Sequence, residues 1–404
     1  MGVTIQSQVE LESARSTPES GAILACMLAG MCTFLNVYCT QPLLPVLRRV
    51  YGASEIGVSM TVSATTLAVA LAAPFVGLMA ESIGRKKVIV PSLFALTAPT
   101  LLAATSHSLY TLIFWRFLQG LFVPGVIAVI MAYINEEFAG PRVGSAMAAY
   151  VSGTVLGGFC GRFVAGLVSH HLDWRMAFVV LGLVNLAGAF LVQRALPRAR
   201  HFVKAEHVRH SIYDALQHLH NWRLIAVFGM AFAVLFSLVG AFTYANFYLA
   251  APPYRLNSAQ LGSIFFVYLL GVVVTPLAGR SLDRYGMRRT AVFAYLLTAV
   301  GLFLTLMPPM SLIITGLALF STGIFFFQAV GSVQTGIVAG RARSSAAGLY
   351  VTFYYLGGSA GAVVMGWTWM ADGWRACVML LMGIGALALA LAFISSRRLR
   401  SAAT

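Results

Sequence analysis

Long apolar runs separated by short polar breaks fill most of this sequence. They fall at 22–46, 56–80, 88–105, 109–134, 144–168 and 175–195, then at 222–250, 258–279, 289–307, 311–335, 343–370 and 374–396. Each is close to the roughly 20 residues a helix needs to cross a hydrocarbon core about 30 Å thick. The pattern predicts an all-α membrane protein with twelve transmembrane helices in two six-helix bundles. The expected organisation is a tail at 1–21, a first bundle at 22–196, a linker at 197–221, a second bundle at 222–396 and a tail at 397–404. The linker is polar and His-rich, which fits a short amphipathic helix rather than a span.

Composition agrees: 59% of the 404 residues are hydrophobic and only 10% charged, against about 25% charged in soluble domains. That excludes a cytosolic enzyme, a disordered chain and a secreted disulfide scaffold. The net charge of +15 would fit a nucleic-acid binder if the basic residues shared one soluble face with interleaved aromatics. They lie instead in short loops between apolar runs, so no nucleic-acid partner is expected. With both termini in the cytoplasm, twenty of the 27 Lys and Arg fall inside and five (Arg48, Arg49, Arg175, Arg255, Arg375) outside. Excess Lys and Arg mark cytoplasmic loops, which sets the orientation. Arg48 and Arg49 form a local exception. The five cysteines (Cys26, Cys32, Cys39, Cys160, Cys377) have no paired spacing and read as small buried hydrophobes. The first twenty residues are polar and acidic without a basic n-region, so the first apolar run is expected to be a retained helix.

The two halves repeat. Pro74-Phe-Val-Gly77-Leu-Met-Ala-Glu81-Ser-Ile-Gly84-Arg-Lys86-Lys87 recurs as Pro276-Leu-Ala-Gly279-Arg-Ser-Leu-Asp283-Arg-Tyr-Gly286-Met-Arg288-Arg289. Leu156-Gly157-Gly158-x-x-Gly161 recurs as Leu356-Gly357-Gly358-x-x-Gly361, and Trp174-Arg175 as Trp374-Arg375. Asn36-x-Tyr38-x-x-x-Pro42 recurs as Asn246-x-Tyr248-x-x-x-Pro252. Four blocks in one order point to two homologous bundles, an arrangement that places a substrate cavity at the midplane between them. The glycine runs read as close helix packing.

Gly77 to Lys87 is similar to the loop 2–3 signature of the major facilitator superfamily, with Glu81 where Asp is usual. Arg116-Phe-Leu-Gln119-Gly120 resembles that family's Arg-x-x-Gln-Gly signature in the fourth helix. Tyr38-Cys-Thr-Gln-Pro-Leu-Leu-Pro45, Gly157-Gly158-Phe-Cys-Gly161-Arg162, Asp173-Trp-Arg175, Leu196-Pro-Arg-Ala-Arg-His-Phe202 and Tyr354-Tyr355-Leu-Gly-Gly358 resemble its YnfM-type, acriflavine-sensitivity branch. That branch is related to 12-span drug–proton antiporters, and the resemblance covers the whole chain. The antiporter signature of the fifth helix carries Gly-Pro before paired glycines; here Gly158 replaces the Pro and Arg162 the final Gly. The resemblance implies gating loops at Gly77, Glu81, Gly84, Arg85 and Lys86, and at Gly279, Asp283, Arg284, Gly286 and Arg288. Glu81 with Arg85 would latch near Arg343, and Asp283 with Arg288 near Arg142, each acid facing a helix N-terminus. Topology alone explains part of the basic excess, but not an acid four residues after a glycine in both halves.

All twelve acids and all eight histidines sit in tails, loops or span ends. A proton relay usually shows an intramembrane acid or His, so protons remain only a candidate coupling ion, through Glu81 or Asp283. The uncharged polar candidates for the cavity are Asn36, Tyr38, Gln41, Gln119, Tyr244, Asn246, Gln328, Gln334, Tyr354 and Tyr355. Each fits an interhelical hydrogen bond as well as a ligand contact. The two basic candidates are Arg116 and Arg162, about 10 and 9 Å below the outer surface at about 1.5 Å per residue. Neither has a basic counterpart in the repeat, so symmetric scaffolding does not require them. They are expected to form a positive patch for an anionic or oxygen-rich group, against the alternative that each snorkels or caps neighbouring carbonyls.

The expected function is a secondary active transporter of the inner membrane, exporting a small organic compound by alternating access. Uptake of a small organic anion or sugar is the alternative on the same scaffold, and a non-transporting sensor the alternative from another class. An ATP-driven pump is excluded by the missing Gly-x-x-x-x-Gly-Lys-Ser/Thr loop. No enzyme activity, cofactor or metal is expected, the partners are the substrate and the bilayer, and a monomer is expected.

Overall fold

The computed structural model describes residues 5–138, 141–199, 218, 220–339 and 343–396, excluding the side chains of 5–20, 77, 78, 81, 141 and 343–345. Most of the expected linker (200–217) and the ends of both tails therefore lie outside the described residues. Among those described, the regular structure is helical: α1 (Ile5–Val37), α2 (Leu44–Tyr51), α3 (Glu55–Ile83), α4 (Lys86–Ala103), α5 (Leu109–Phe122), α6 (Pro124–Glu137), α7 (Pro141–His171) and α8 (Trp174–Ala195). The second half carries α9 (Trp222–Ala250), α10 (Ser258–Ile264), α11 (Leu270–Leu304), α12 (Met310–Val338) and α13 (Arg343–Ser395), with 3-10 turns at Gln41–Leu43 and Phe265–Leu269. Helix α1 starts at Ile5, within the stretch expected as a polar tail.

Polar residues in the predicted breaks start the helices. Ser54, Ser108 and Asn221 each accept a hydrogen bond from a main-chain N–H of the first turn, and Asn257 forms a reciprocal pair with Gln260. Such caps satisfy donors that the first turn leaves open.

Ten apolar stretches among the described residues are long enough to cross a membrane. Two of them, Ser258–Leu304 and Ala346–Ser395, span 47 and 50 residues, about twice the need. Each is interrupted where the sequence predicts a loop: at Gly286 (φ 75°, ψ 169°) and at Asp372–Gly373. Gly84, the repeat counterpart of Gly286, ends α3 at φ 99°, ψ 146°. Only glycine enters this region without strain, so the repeated block turns the chain the same way twice.

The repeated glycine runs bring helices into backbone contact. A Cβ at Gly157 or Gly161 would strike the carbonyls of Met31 or Leu35 on α1; one at Gly357 or Gly361 would strike those of Phe232 or Phe236 on α9. The same crossing is thus built in both halves, α7 on α1 and α13 on α9.

The first span is broken inside the membrane. Pro42 and Pro45 lack the N–H groups a continuous helix needs, and each ring crowds the carbonyl four residues back. The chain leaves α1 at Val37, turns through Tyr38–Thr40 and resumes at Gln41. This frees the carbonyls of Asn36 and Val37 where no water can reach them. Arg116 on α5 takes both: Nη1 donates to Asn36 O at 2.7 Å and Nη2 to Val37 O, while Nε donates to Thr61 O at 3.1 Å. Stripping these donors should cost about 1–3 kcal/mol for each carbonyl left unpaired. Arg116→Ala is therefore expected to lower the melting temperature in detergent clearly more than Arg162→Ala does. Equal melting of the two variants would contradict this role.

Candidate functional site

Among the described residues, hydrogen bonds that join the two bundles lie in the half away from the linker face, the face where α8 ends and α9 begins. Ser59 Oγ on α3 donates to Ala362 O on α13 at 3.0 Å, and the Ser63 and Ser359 hydroxyls lie 2.8 Å apart. Gln41 Nε2 donates to Thr243 Oγ1 on α9 at 3.2 Å. Glycines let α7 meet α10 backbone to backbone: a Cβ at Gly166 would strike Ser258 O, and one at Gly262 would lie 2.9 Å from Arg162 O. Small side chains and exposed carbonyls thus make a layer that closes by close approach.

Arg162 lies in this layer. It is 2% exposed, and no Asp or Glu among the described residues pairs with it. Helix α7 continues to His171, three residues past the predicted run. At about 1.5 Å per residue this sets Arg162 about 14 Å from that helix end. Its Nε donates to Gln41 Oε1 at 2.7 Å and its Nη1 to Gly158 O at 2.6 Å. The rings of Tyr38, Phe265 and Tyr268 lie 4.7, 4.6 and 4.7 Å from the guanidinium carbon. Attraction to these ring faces holds the cation in place. Its Nη2 donates to no atom among the described residues.

Tyr354 and Tyr355 lie on α13, within electrostatic range of Tyr38. Their rings are 5.5 Å apart, and Tyr354 is within electrostatic reach of Tyr38 and Tyr268. The hydroxyls of these four tyrosines have no hydrogen-bond partner among the described residues, yet none is sealed in as Thr40 Oγ1 and Asn246 Oδ1 are. Each of them therefore reaches accessible space. A buried cation with no carboxylate partner among the described residues, in a region that also holds unpartnered hydroxyl donors, suits an anion.

Other expected cavity residues lie elsewhere. Arg116 is fully buried, with its donors on main-chain carbonyls and on Gln119 Oε1 at 2.5 Å. Asn36 and Gln119 belong to a network inside the first bundle: Asn36 donates to Asn185 Oδ1 at 3.1 Å, and Gln119 donates to Thr100 at 2.7 Å. Gln334 accepts from Ser395 at 2.7 Å inside the second bundle. Tyr244 donates to Ala362 O at 3.1 Å within the closed layer. Asn246 is buried and turned back to Phe242 O, and Gln328 is half-buried. Sequence reasoning missed Tyr268, Phe265, Ser63 and Ser359, because a ring or a serine in an apolar run carries no distinguishing signal.

In the gating loops, the side chains of Gly77, Glu81 and Arg343 lie outside the described residues. Arg85 pairs with Glu136 on α6 of its own bundle at 2.5 Å. Lys86 donates to the carbonyls of Gln193 and Leu196, beside a cavity of about 870 Å³ also lined by Lys87 and Arg198. Arg288 donates to Ser396 Oγ at 3.0 Å, and Asp283 is exposed with no ion pair among the described residues. Among the described residues, Asp283 makes no ion pair with Arg142.

The Major Facilitator Superfamily model matches residues 26–257 and 236–403. This chain belongs to that family. It is 34% identical to the inner membrane transport protein YnfM of Escherichia coli (strain K12), covering 89% of this chain and 87% of that protein. It is 24% identical to a gentisate transporter of Corynebacterium glutamicum, covering 73% and 68%. A bacterial homologue of the human lysosomal transporter Spinster, solved inward-facing and unoccupied, superposes with a TM-score of 0.79 at 13% identity, covering 95% and 98%. The chain is a multi-pass transporter of the inner membrane.

The closed layer makes a direct prediction. Gly166→Leu or Gly262→Leu should wedge it apart, because each new side chain meets backbone that cannot yield. Spin labels at Leu172 and Arg255 should report a longer mean distance, with turnover reduced. An unchanged distance would show that this layer does not close the outer face.

Proposed function

We propose that this transporter carries a small organic anion, with a carboxylate as its anionic group and an aromatic ring as a suitable body, by alternating access between the two bundles. Arg162 carries the reading: a buried guanidinium with no counter-ion among the described residues, whose Nη2 donates to none of their atoms, in a region that also holds unpartnered tyrosine hydroxyls. The gentisate carried by one relative is itself an aromatic carboxylate, which supports the same class. In this reading both bundles have six spans, the two long apolar stretches each cross twice, and both termini are cytoplasmic. The closed layer then lies on the outer side, and the unmade pairing of Asp283 is what a chamber open to the cytoplasm requires.

Export is the favoured direction. An anion leaving a cell that is negative inside gains about 2.3 kcal/mol per charge for each 100 mV. Such export needs no proton partner, in keeping with a chamber whose titratable groups are tyrosines, cysteines and an arginine.

The deciding experiment is accumulation in inside-out vesicles across a panel of dyes, sugars and carboxylates, with imposed pH gradients and imposed potentials. Carboxylates should accumulate, faster with a potential that draws anions into the lumen. Arg162→Lys should impair transport because a point charge cannot replace a planar fork of donors, and Arg162→Ala should abolish it at normal expression. Wild-type transport by Arg162→Ala, or accumulation of cationic dyes alone, would overturn the proposal.

The gating loops yield a second expectation. Asp283→Asn should slow turnover several-fold with little change in affinity, since a charge at a helix end is worth about 0.3–1 kcal/mol and the acid touches no substrate. A parallel fall in affinity and turnover would remove Asp283 from the gate.

A further inference from the structure

Gln41 connects the buried cation to the closed layer. Its side-chain amide is fully buried and used at both ends. Oε1 accepts from Arg162 Nε at 2.7 Å, while Nε2 donates across the bundle boundary to Thr243 Oγ1 at 3.2 Å and Val239 O at 3.5 Å. No other side chain in this layer joins the cation to the opposite bundle by hydrogen bonds among the described residues.

The shape of the guanidinium limits how a carboxylate can approach. Rings cover its faces, and Nη1 is tied to Gly158 O one turn back on the same helix. A carboxylate binds a guanidinium best through two parallel N–H···O bonds. The side edge formed by Nε and Nη2 offers two such donors, and Nη2 is already free. Nε is held by a neutral amide oxygen. A charged acceptor forms a hydrogen bond roughly twice as strong as a neutral one, so a carboxylate displaces Gln41 Oε1 from that edge.

We infer that Gln41 is a positioning residue that couples substrate to gate. This rests on the assignment of Arg162 as the anion's counter-charge. When the carboxylate takes the Nε–Nη2 edge, Gln41 loses the contact that orients its amide. Its bonds to Thr243 and Val239, already long for N–H···O contacts, go with it. The closed layer keeps its serine contacts but loses its link through α9. Each hydrogen bond lost from the closed state shifts the closed-to-open ratio by about two- to tenfold. Anion binding from the linker face thereby loosens the opposite face, the step a loaded exporter must take next.

The test separates binding from gating. Gentisate serves as the probe in purified full-length protein, with affinity from calorimetry and layer opening from the spin-label pair at Leu172 and Arg255. In the wild type, gentisate should raise the open population several-fold. Gln41→Met should bind gentisate at least as tightly, because no amide must be displaced, yet show no ligand-induced change in distance. Thr243→Val, which keeps the Gln41–Arg162 bond, should raise the open population without ligand and, because coupling between binding and opening is reciprocal, bind gentisate more tightly than the wild type. An undiminished ligand-induced shift in Gln41→Met, or weaker gentisate binding by it, would overturn the coupling role. If the wild type binds no carboxylate of the panel in an Arg162-dependent way, the anion assignment fails and the coupling falls with it. Arg162-dependent binding with an unaltered shift in Gln41→Met leaves that assignment standing and removes the coupling alone.

Discussion

Arg116 bridges the break in the first span, and the rest of the site depends on that contact. Two prolines interrupt the helix where no water can satisfy the freed carbonyls of Asn36 and Val37. A guanidinium supplies several donors from one position, and no neutral side chain offers as many. With the break held open, Tyr38 stacks on Arg162 and Gln41 lies between Arg162 and α9. A continuous helix would carry both side chains round to other neighbours.

The two buried arginines show how surroundings decide the role of one residue type. Arg116 is surrounded by carbonyl oxygens and is electrostatically complete without a ligand. Arg162 is surrounded mostly by ring faces, with a single amide oxygen and a single carbonyl. Rings hold a cation weakly compared with a carboxylate, so the charge of Arg162 is less fully compensated than that of Arg116.

The closed layer is suited to being broken. It consists of serine hydroxyls, carbonyls and glycine contacts, each worth little alone. A layer of interlocked large side chains would be harder to separate, and one of buried ion pairs would strand charges on opening. Weak, numerous and small contacts let a modest change in binding energy shift the balance.

The long apolar helices and the repeat were legible in the sequence, because a bilayer demands long apolar runs. The family was legible from Gly77 to Lys87 and Arg116 to Gly120, and the close packing of the glycine runs from their recurrence. The sequence also singled out Arg116 and Arg162 as charges that topology does not explain. It did not separate them. Which arginine meets carbonyls and which meets rings depends on Pro42 and on Phe265 and Tyr268 in the other half, more than a hundred residues away along the chain. The same holds for Asn36, Gln119 and Gln334, which are polar residues in apolar runs like Gln41 but find partners within their own bundles. Hydropathy records that a residue is buried; only packing decides what it is buried against, and that neighbour sets whether its hydrogen bonds are finished or still open to a ligand.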